Sequence, residues 1–432
     1  MQTSLDSIAY KAKKKKNYRF SNLYGMLNQR NLEGSFKFLN KRSARGVDKV
    51  SARAYGTKLK ENVENLIERL KRGAYRAKLV RRKYIPKSNG KQRPLGIPST
   101  EDKLLQVAAT RIVNAIFEQD FIRSSFGYRP KLGAKDAILK LKSKLQFGRF
   151  GYVVEADIKG FFNNINHDWL IKMLKKRIND KRFLQLIRKW LKAGILEEDG
   201  EIIHPYTGTP QGGIVSPVLA NVYLHFALDL WFQKVVCKQI KGKAYIFRYA
   251  DDFVCLFQYK ADAERFYSAL PRRLEKFGLE VAPEKTLILK FSKYEPAGNA
   301  KFNFLGFEFK WGFNRDRKPQ LLVQTSRKKL SSVVKEMALW CKENRHMGIG
   351  KIMKAFNTRL RGHYNYFGII GNSQRLKSYY FRSICVLKRW LNRRSQKRSY
   401  NWSGFYKMLN FFKVATPKIT QKREENIQLS FC

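Results

Sequence analysis

Two adjacent acids, Asp251 and Asp252, interrupt an otherwise apolar and aromatic run from Phe247 to Phe257. The run reads as strand, tight turn, strand, which puts both carboxylates on the turn of a hairpin. Neighbouring carboxylates repel and raise each other's proton affinity, so a half-buried pair needs a cation or hydrogen-bond donors to stay ionised. A bound divalent metal meets that need. An idle turn exposed to water also meets it, because turns favour Asp for local reasons. The rest of the chain has to separate these two readings.

Net charge narrows the partners. With 88 Lys and Arg against 34 Asp and Glu, the 432-residue chain carries +54, the range of a nucleic-acid binder. Its length exceeds one ordinary core, so two or three packed units are expected. Anionic membrane is the competing partner. No apolar run approaches the roughly 20 residues needed to span a bilayer, and the basic N-terminus has no apolar core after it. The expectation is a cytoplasmic protein with no membrane partner. Cys237, Cys255, Cys341, Cys385 and Cys432 include no Cys-x-x-Cys pair, so neither a zinc cluster nor a disulfide framework is indicated. They are expected to be small buried apolar groups.

In chain order, Lys11 to Lys16 is a basic tail, followed by a short amphipathic helix somewhere between Tyr18 and Phe38. Tyr55, Leu59, Val63, Leu66 and Leu70 repeat at helical spacing and predict a helix over 52–72. Tyr84 to Pro98 reads as two extended segments around Ser88-Asn89-Gly90, with five basic residues from Arg82 to Arg93. Such a hairpin can lay an Arg fork and Lys point charges on a triphosphate, or it can simply be solvated. Further helices are expected over 101–117, 134–145, 169–178 and 261–277.

Gly151 to Phe162 reads as a strand ending in Asp157, with Asn166 or Asp168 capping the next helix. If that strand and the Asp-Asp hairpin share a sheet, three carboxylates can meet. Such a set can hold two divalent ions for in-line phosphoryl or nucleotidyl displacement. Oxygen-only ligation favours Mg²⁺ over zinc. Between these stretches, Thr207 to Pro217 is a glycine-rich loop opening a helix, where backbone can approach an anion closely. Phe302 to Phe309 reads as one strand.

These blocks, taken in order, carry a resemblance. Pro94-Leu95-Gly96-Ile97-Pro98, Phe126-Gly127-Tyr128-Arg129-Pro130, Asp157 to Asp168, Gly208 to Pro217, Tyr249-Ala250-Asp251-Asp252, Pro283-Glu284-Lys285-Thr286 and Phe304-Leu305-Gly306 follow the order of bacterial group II intron-encoded reverse transcriptase/maturase proteins. The chain resembles that family over about 20–415. The resemblance implies an α+β right-hand polymerase: a basic N-terminal extension over 1–45, fingers and palm with an antiparallel sheet over 46–319, and an α-helical thumb or maturase domain over 320–432. It implies that Asp157, Asp251 and Asp252 are the catalytic carboxylates, and that these and the Ile158 carbonyl hold two Mg²⁺ ions, with Mn²⁺ an alternative. Lys87, Arg93 and Lys285 would meet the triphosphate, Phe162 would pack under the sugar, and Gln211 would touch the incoming nucleotide. Implied partners are an RNA template, intron RNA, a DNA or RNA primer and dNTPs in a bacterial cytoplasm. All five histidines, His167 among them, are expected to be structural.

The C-terminal stretch adds separate support. Between Glu343 and Glu424 lie 19 Lys and Arg and no acid, interleaved with aromatics such as Tyr364, Tyr379, Trp390 and Tyr406. Such a surface neutralises phosphates and stacks on unpaired bases, which suits structured RNA. The sequence ends without the endonuclease domain that the family often carries, so self-cleavage of a DNA target is not expected. The block ending Ser216-Pro217 argues against a diversity-generating retroelement enzyme. Two alternatives stand beside the polymerase: an RNA-binding splicing cofactor without polymerase activity, and a free-standing reverse transcriptase domesticated for phage defence or in a CRISPR-associated role.

Overall fold

In the computed structural model, residues 4–86, 90, 92–209, 212–295, 300–394 and 399–421 are described. The strands in chain order are β1 (Val80–Pro86), β2 (Gln92–Ile97), β3 (Tyr152–Lys159), β4 (Ile195–Leu196), β5 (Ile202–Ile203), β6 (Ala244–Tyr249), β7 (Asp252–Phe257), β8 (Glu280–Val281), β9 (Leu287–Lys290), β10 (Lys301–Phe304), β11 (Phe307–Phe313) and β12 (Pro319–Thr325). The architecture is mixed α/β with antiparallel sheets. It divides into two compact units, one of Met1–Gly133 with Tyr152–Ile288, the other of Ala134–Gly151 with Leu289–Cys432.

The first unit is organised by the sheet order β6-β7-β3-β8, with β9 also pairing to β3. The pairs β6/β7, β7/β3 and β3/β8 are antiparallel. Burial explains the arrangement: Val153, Val154, Ala156 and Ile158 of β3 and Phe253 to Phe257 of β7 are almost wholly enclosed. A second sheet of order β2-β1-β4-β5 carries the basic hairpin. Helix Thr100–Phe117, capped by Ser99, runs through this core with Leu104, Leu105, Ala108, Ile112 and Ile116 fully buried. The predicted 52–72 helix forms as two, Ala52–Thr57 and Leu59–Lys71, separated at Lys58. The basic N-terminal stretch is more than a tail. Leu5–Lys14 is a helix with Ile8 and Ala12 in the core, and Phe20 exchanges backbone bonds of 2.7 Å with Arg177 and Asn179.

The second unit combines the sheet β10-β11-β12 with helices Arg327–Asn344, Ile349–Phe367, Ser373–Leu391 and Trp402–Phe411. The segment expected as one strand over 302–309 is a hairpin. Leu305 and Gly306 take φ values of 51° and 80°, so the chain reverses between β10 and β11. Residues 134–151 join this unit because Gln146 of helix Ala134–Phe147 bonds the β12 edge at Leu321 N (2.8 Å) and Pro319 O (3.2 Å). Cys255 and Cys341 are buried as expected, whereas Cys237 is exposed.

Candidate active site

The acid cluster is a product of strand register. β7 lies against β3 with Asp252 directly opposite Asp157, and β6 returns with Tyr249 opposite Asp252. Ala250 and Asp251 therefore make a two-residue turn, with Ala250 at a left-handed φ of 57°. Burial raises the Asp251 carboxyl above its ordinary range, and Asp157 adds to that, against Arg93 and Lys285. Asp252 is pushed up to about 7, first by burial and then by Asp157, Asp251 and Glu155. The cluster lacks positive charge. One cation has already answered it: Lys285, from the short turn Pro283–Lys285, bonds the Asp157 carboxylate. That contact raises the lysine's own pKa. Ile158 is buried next to Asp157, with its strand partner Val281 on β8.

Among the described residues, no three His, Cys, Asp or Glu side chains form a ready-made metal cluster. The donor chemistry nevertheless fits a hard divalent cation. The donors are all oxygen, two carboxyls have raised proton affinity, and a lysine sits where positive charge is required.

Around the acids the structure brings together some predicted groups and subtracts others. Of the five basic residues from Arg82 to Arg93, Arg82 bonds Glu197 at 2.9 Å and Lys83 bonds Glu198 at 3.1 Å, so both are neutralised. Arg93 is exposed and acts electrostatically on both Asp251 and Tyr128. Lys87 and Gln211 lie outside the described residues. Phe162 sits on the short helix Phe161–Asn164, edge-on to Tyr128 with ring centroids 6.3 Å apart. The glycine loop is pinned from two sides. Thr209 N donates to Phe162 O at 2.8 Å, and Gly212, at φ 121°, lies so near β2 that a Cβ would come within 2.6 Å of Gly96 O. His167 belongs to that scaffold, its Nε2 lying 2.6 Å from Gly208 O, and burial lowers its pKa.

Two contributors escaped the sequence reading. Tyr128, at φ 57° and half-exposed, borders Asp251, Tyr249 and Arg93. Arg248 is fully buried under the turn. Its guanidinium donates to both oxygens of buried Asp229 (2.7 and 2.6 Å), to Asn221 Oδ1 (3.0 Å) and to Ala250 O (3.0 Å). Asn221 in turn donates to Gly127 O at 2.6 Å, and Gly127 packs so tightly that a Cβ would lie 2.3 Å from Ala250 N. A signal existed for Arg248: it follows Ile246 by two residues on the same strand face, so alternation points its charge inward.

The sheet bearing this acid turn shares its compact unit with the basic hairpin and the glycine loop, and a known family matches that stretch of the chain. The profile of the family described as "Reverse transcriptase (RNA-dependent DNA polymerase)" matches residues 85–309. "Group II intron-encoded protein LtrA" of Lactococcus lactis subsp. cremoris is 46% identical over 166 residues, 38% of this chain and 27% of LtrA. "Protein YkfC" of Escherichia coli (strain K12) is 33% identical over 291 residues, 60% of this chain and 74% of YkfC. "Putative COX1/OXI3 intron 1 protein" of Saccharomyces cerevisiae is 34% identical over 181 residues, 42% of this chain and 21% of that protein. The chain belongs to the reverse transcriptase family and, within it, to the group II intron-encoded reverse transcriptase/maturase proteins. It spans about a quarter of LtrA and about three quarters of YkfC.

Proposed function

We propose that the chain is an RNA-directed DNA polymerase that joins dNTPs to a DNA or RNA primer and also binds intron RNA to promote splicing and mobility. The observation that carries this reading is the register that sets Asp157 opposite Asp252 beside Asp251, short of positive charge. In this reading residues 46–319 serve as fingers and palm, and residues 320–432, with helices Arg327–Asn344, Ile349–Phe367, Ser373–Leu391 and Trp402–Phe411, as thumb and maturase domain. Asp157, Asp251 and Asp252, with the Ile158 carbonyl, would hold two Mg²⁺ ions, which when bound would supply charge neutralisation and Lewis acidity at the α-phosphate.

The chain's own residues position the reactants. The Arg93 fork and the Lys87 charge receive the triphosphate, and Lys285 is the cation an incoming phosphate draws from Asp157. Phe162, braced by Tyr128, packs under the sugar and crowds a 2′-hydroxyl, and Gln211 touches the incoming nucleotide. Catalysis of this kind is positioning and electrostatics and needs no protein nucleophile.

Primer extension on an RNA template with Mg²⁺ tests the reading. Wild type should extend, and Asp251→Asn should lose at least about 10²-fold in rate, as expected when a charge-stabilising group at the reacting centre is removed. Robust extension by the variant would refute the site. No extension by folded wild type would leave an RNA-binding splicing cofactor.

A further inference from the structure

Tyr128 stands beside the acid turn in a conformation that costs an L side chain and that glycine adopts freely, a left-handed φ of 57°. It is 48% exposed, so core burial does not offset that cost. Strain of this kind persists where the surroundings over-determine it. Here they do. On one side, Phe126 N donates to Arg248 O at 2.8 Å and Arg248 N donates to Ser124 O at 2.9 Å, which seats the loop along β6. Gly127 O accepts from Asn221 at 2.6 Å. On the other side, the Arg129 guanidinium donates to Glu118 at 2.6 Å and to the carbonyls of Ile122 and Ser125 at 2.7 Å each.

With both neighbours tied down, the Tyr128 ring is set edge-on to Phe162, centroids 6.3 Å apart and planes at 78°. The Tyr128 hydroxyl makes no hydrogen bond among the described residues, so the ring rather than the hydroxyl is what the strained backbone delivers. Phe162 has use for such a neighbour. Its helix, Phe161–Asn164, is a single turn, and Phe162 is only partly buried. Thr209 N fixes its backbone carbonyl at 2.8 Å, which leaves the ring itself to be held by packing. Phe161 lies against it at 5.4 Å but belongs to the same turn and moves with it. Tyr128 reaches it from a separate segment.

We propose that Tyr128 is a positioning residue for sugar selection, its ring confining Phe162 so that a nucleotide bearing a 2′-hydroxyl does not push Phe162 aside. The proposal rests on the reading of Phe162 as the residue under the sugar, and Tyr128 touches no substrate in it. A ribonucleotide is rejected to the extent that displacing the Phe162 ring is costly. Movement towards Tyr128 meets a ring whose backbone is pinned on both sides. Movement away gives up the edge-to-face pair. Either way the pair adds to the cost that a 2′-hydroxyl must meet, by up to about tenfold in selectivity for an aromatic pair of this geometry.

Primer extension by the full chain on an RNA template, with a single dNTP or the matching rNTP, gives kcat/KM for each sugar. Tyr128→Ala should raise kcat/KM for the rNTP and lower the dNTP-to-rNTP ratio by about tenfold. Damage to the fold would lower both values, so a gain with the rNTP separates positioning from stability. Tyr128→Phe keeps the ring and should keep the ratio. In a Phe162→Ala background, Tyr128→Ala should change the ratio no further, the signature of a residue that acts through another. An undiminished ratio in Tyr128→Ala would overturn the proposal. So would an equal fall in Tyr128→Phe, which would assign the selection to the hydroxyl, and so would a full further fall on top of Phe162→Ala, which would make Tyr128 an independent contact. Extension with a ratio that Tyr128→Ala leaves unmoved sinks the brace alone, whereas no extension by folded wild type with either sugar sinks the polymerase reading and the brace with it.

Discussion

Asp252 carries the sharpest conflict between stability and activity in the molecule. Its carboxyl, pushed to about 7 by burial and by Asp157, Asp251 and Glu155, is ionised above that pH at a cost in stability. Replacing it by Asn removes the charge and keeps the shape. Asp252→Asn should therefore stabilise the metal-free protein at pH 8 by roughly 1–3 kcal/mol, while primer extension falls. Equal melting temperatures for the two proteins in EDTA would show that the carboxylate is already compensated. Arg93 makes the complementary case, since it faces Asp251 whereas Arg82 and Lys83 are spent on Glu197 and Glu198. Arg93→Ala should raise the KM for dNTPs by about tenfold or more, the loss of one charge-assisted contact, and change RNA affinity far less. A parallel loss of both would place Arg93 on the template. The acids were legible because each interrupts an apolar strand. Tyr128 was not, because nothing local to Gly127-Tyr128 shows that its loop lies against the Asp251 turn.

The turn between β6 and β7 is held by more than its own hydrogen bonds. Arg248, Asp229, Asn221 and Gly127 form a closed set of contacts around the Ala250 carbonyl. Truncating Arg248 alone would strand the Asp229 charge and cost about 3–5 kcal/mol, so folding and positioning would fail together. Replacing both partners separates them, because a buried ion pair exchanged for apolar groups of similar volume is often neutral. Arg248→Met combined with Asp229→Leu should melt within a few degrees of wild type, while kcat for primer extension drops at least about tenfold for want of a donor to Ala250 O. Unchanged kcat in a stable double variant would show that sheet register alone fixes the turn. Asp229 lies in a π-helical turn, His225–Asp229, which sequence periodicity does not reveal because a π turn is set by tertiary contacts rather than by propensity. The hairpin at Leu305–Gly306 did leave a trace: Phe302 and Phe304 alternate, as do Phe307 and Phe309, but the step of three between Phe304 and Phe307 breaks the phase where φ turns positive. Lysines disguised helix Leu5–Lys14, whose apolar face is only Ile8 and Ala12 deep.

At the scale of the whole molecule, charge was the most legible property, whereas the membership of 134–151 in the second unit depends on Gln146 reaching β12 across 175 positions. Each unit also encloses a neutral histidine, His225 in the first and His363 in the second, both lowered to about 4 mainly by burial. Their folded values lie below the ordinary 6.5, so the unfolded chain binds protons first as pH falls. Stability present above about pH 6.5 is lost progressively down to about pH 4, by on the order of 3 kcal/mol for each histidine. Asp252, raised to about 7, acts in the opposite sense over this window, so the histidine contribution is read by difference: between pH 7 and pH 5 urea midpoints should fall less, or rise more, in His363→Phe than in wild type. Salt should divide folding from binding. A net +54 repels itself in the compact state, and shortening the Debye length from roughly 15 to 7 Å between 50 and 200 mM screens that repulsion, so the melting temperature of the free protein should rise. RNA binding draws on the same charge in the opposite sense. If six to ten phosphates are neutralised, affinity should fall by roughly 10³–10⁵ over the same interval, with log K linear in log salt. Thermal melts and anisotropy titrations on one salt series read both slopes. A melting temperature that falls with salt would mean that attractive pairs such as Arg82–Glu197 and Arg129–Glu118 outweigh the net repulsion. A flat binding slope would mean that RNA is held by stacking and shape rather than by the charge that dominates the composition.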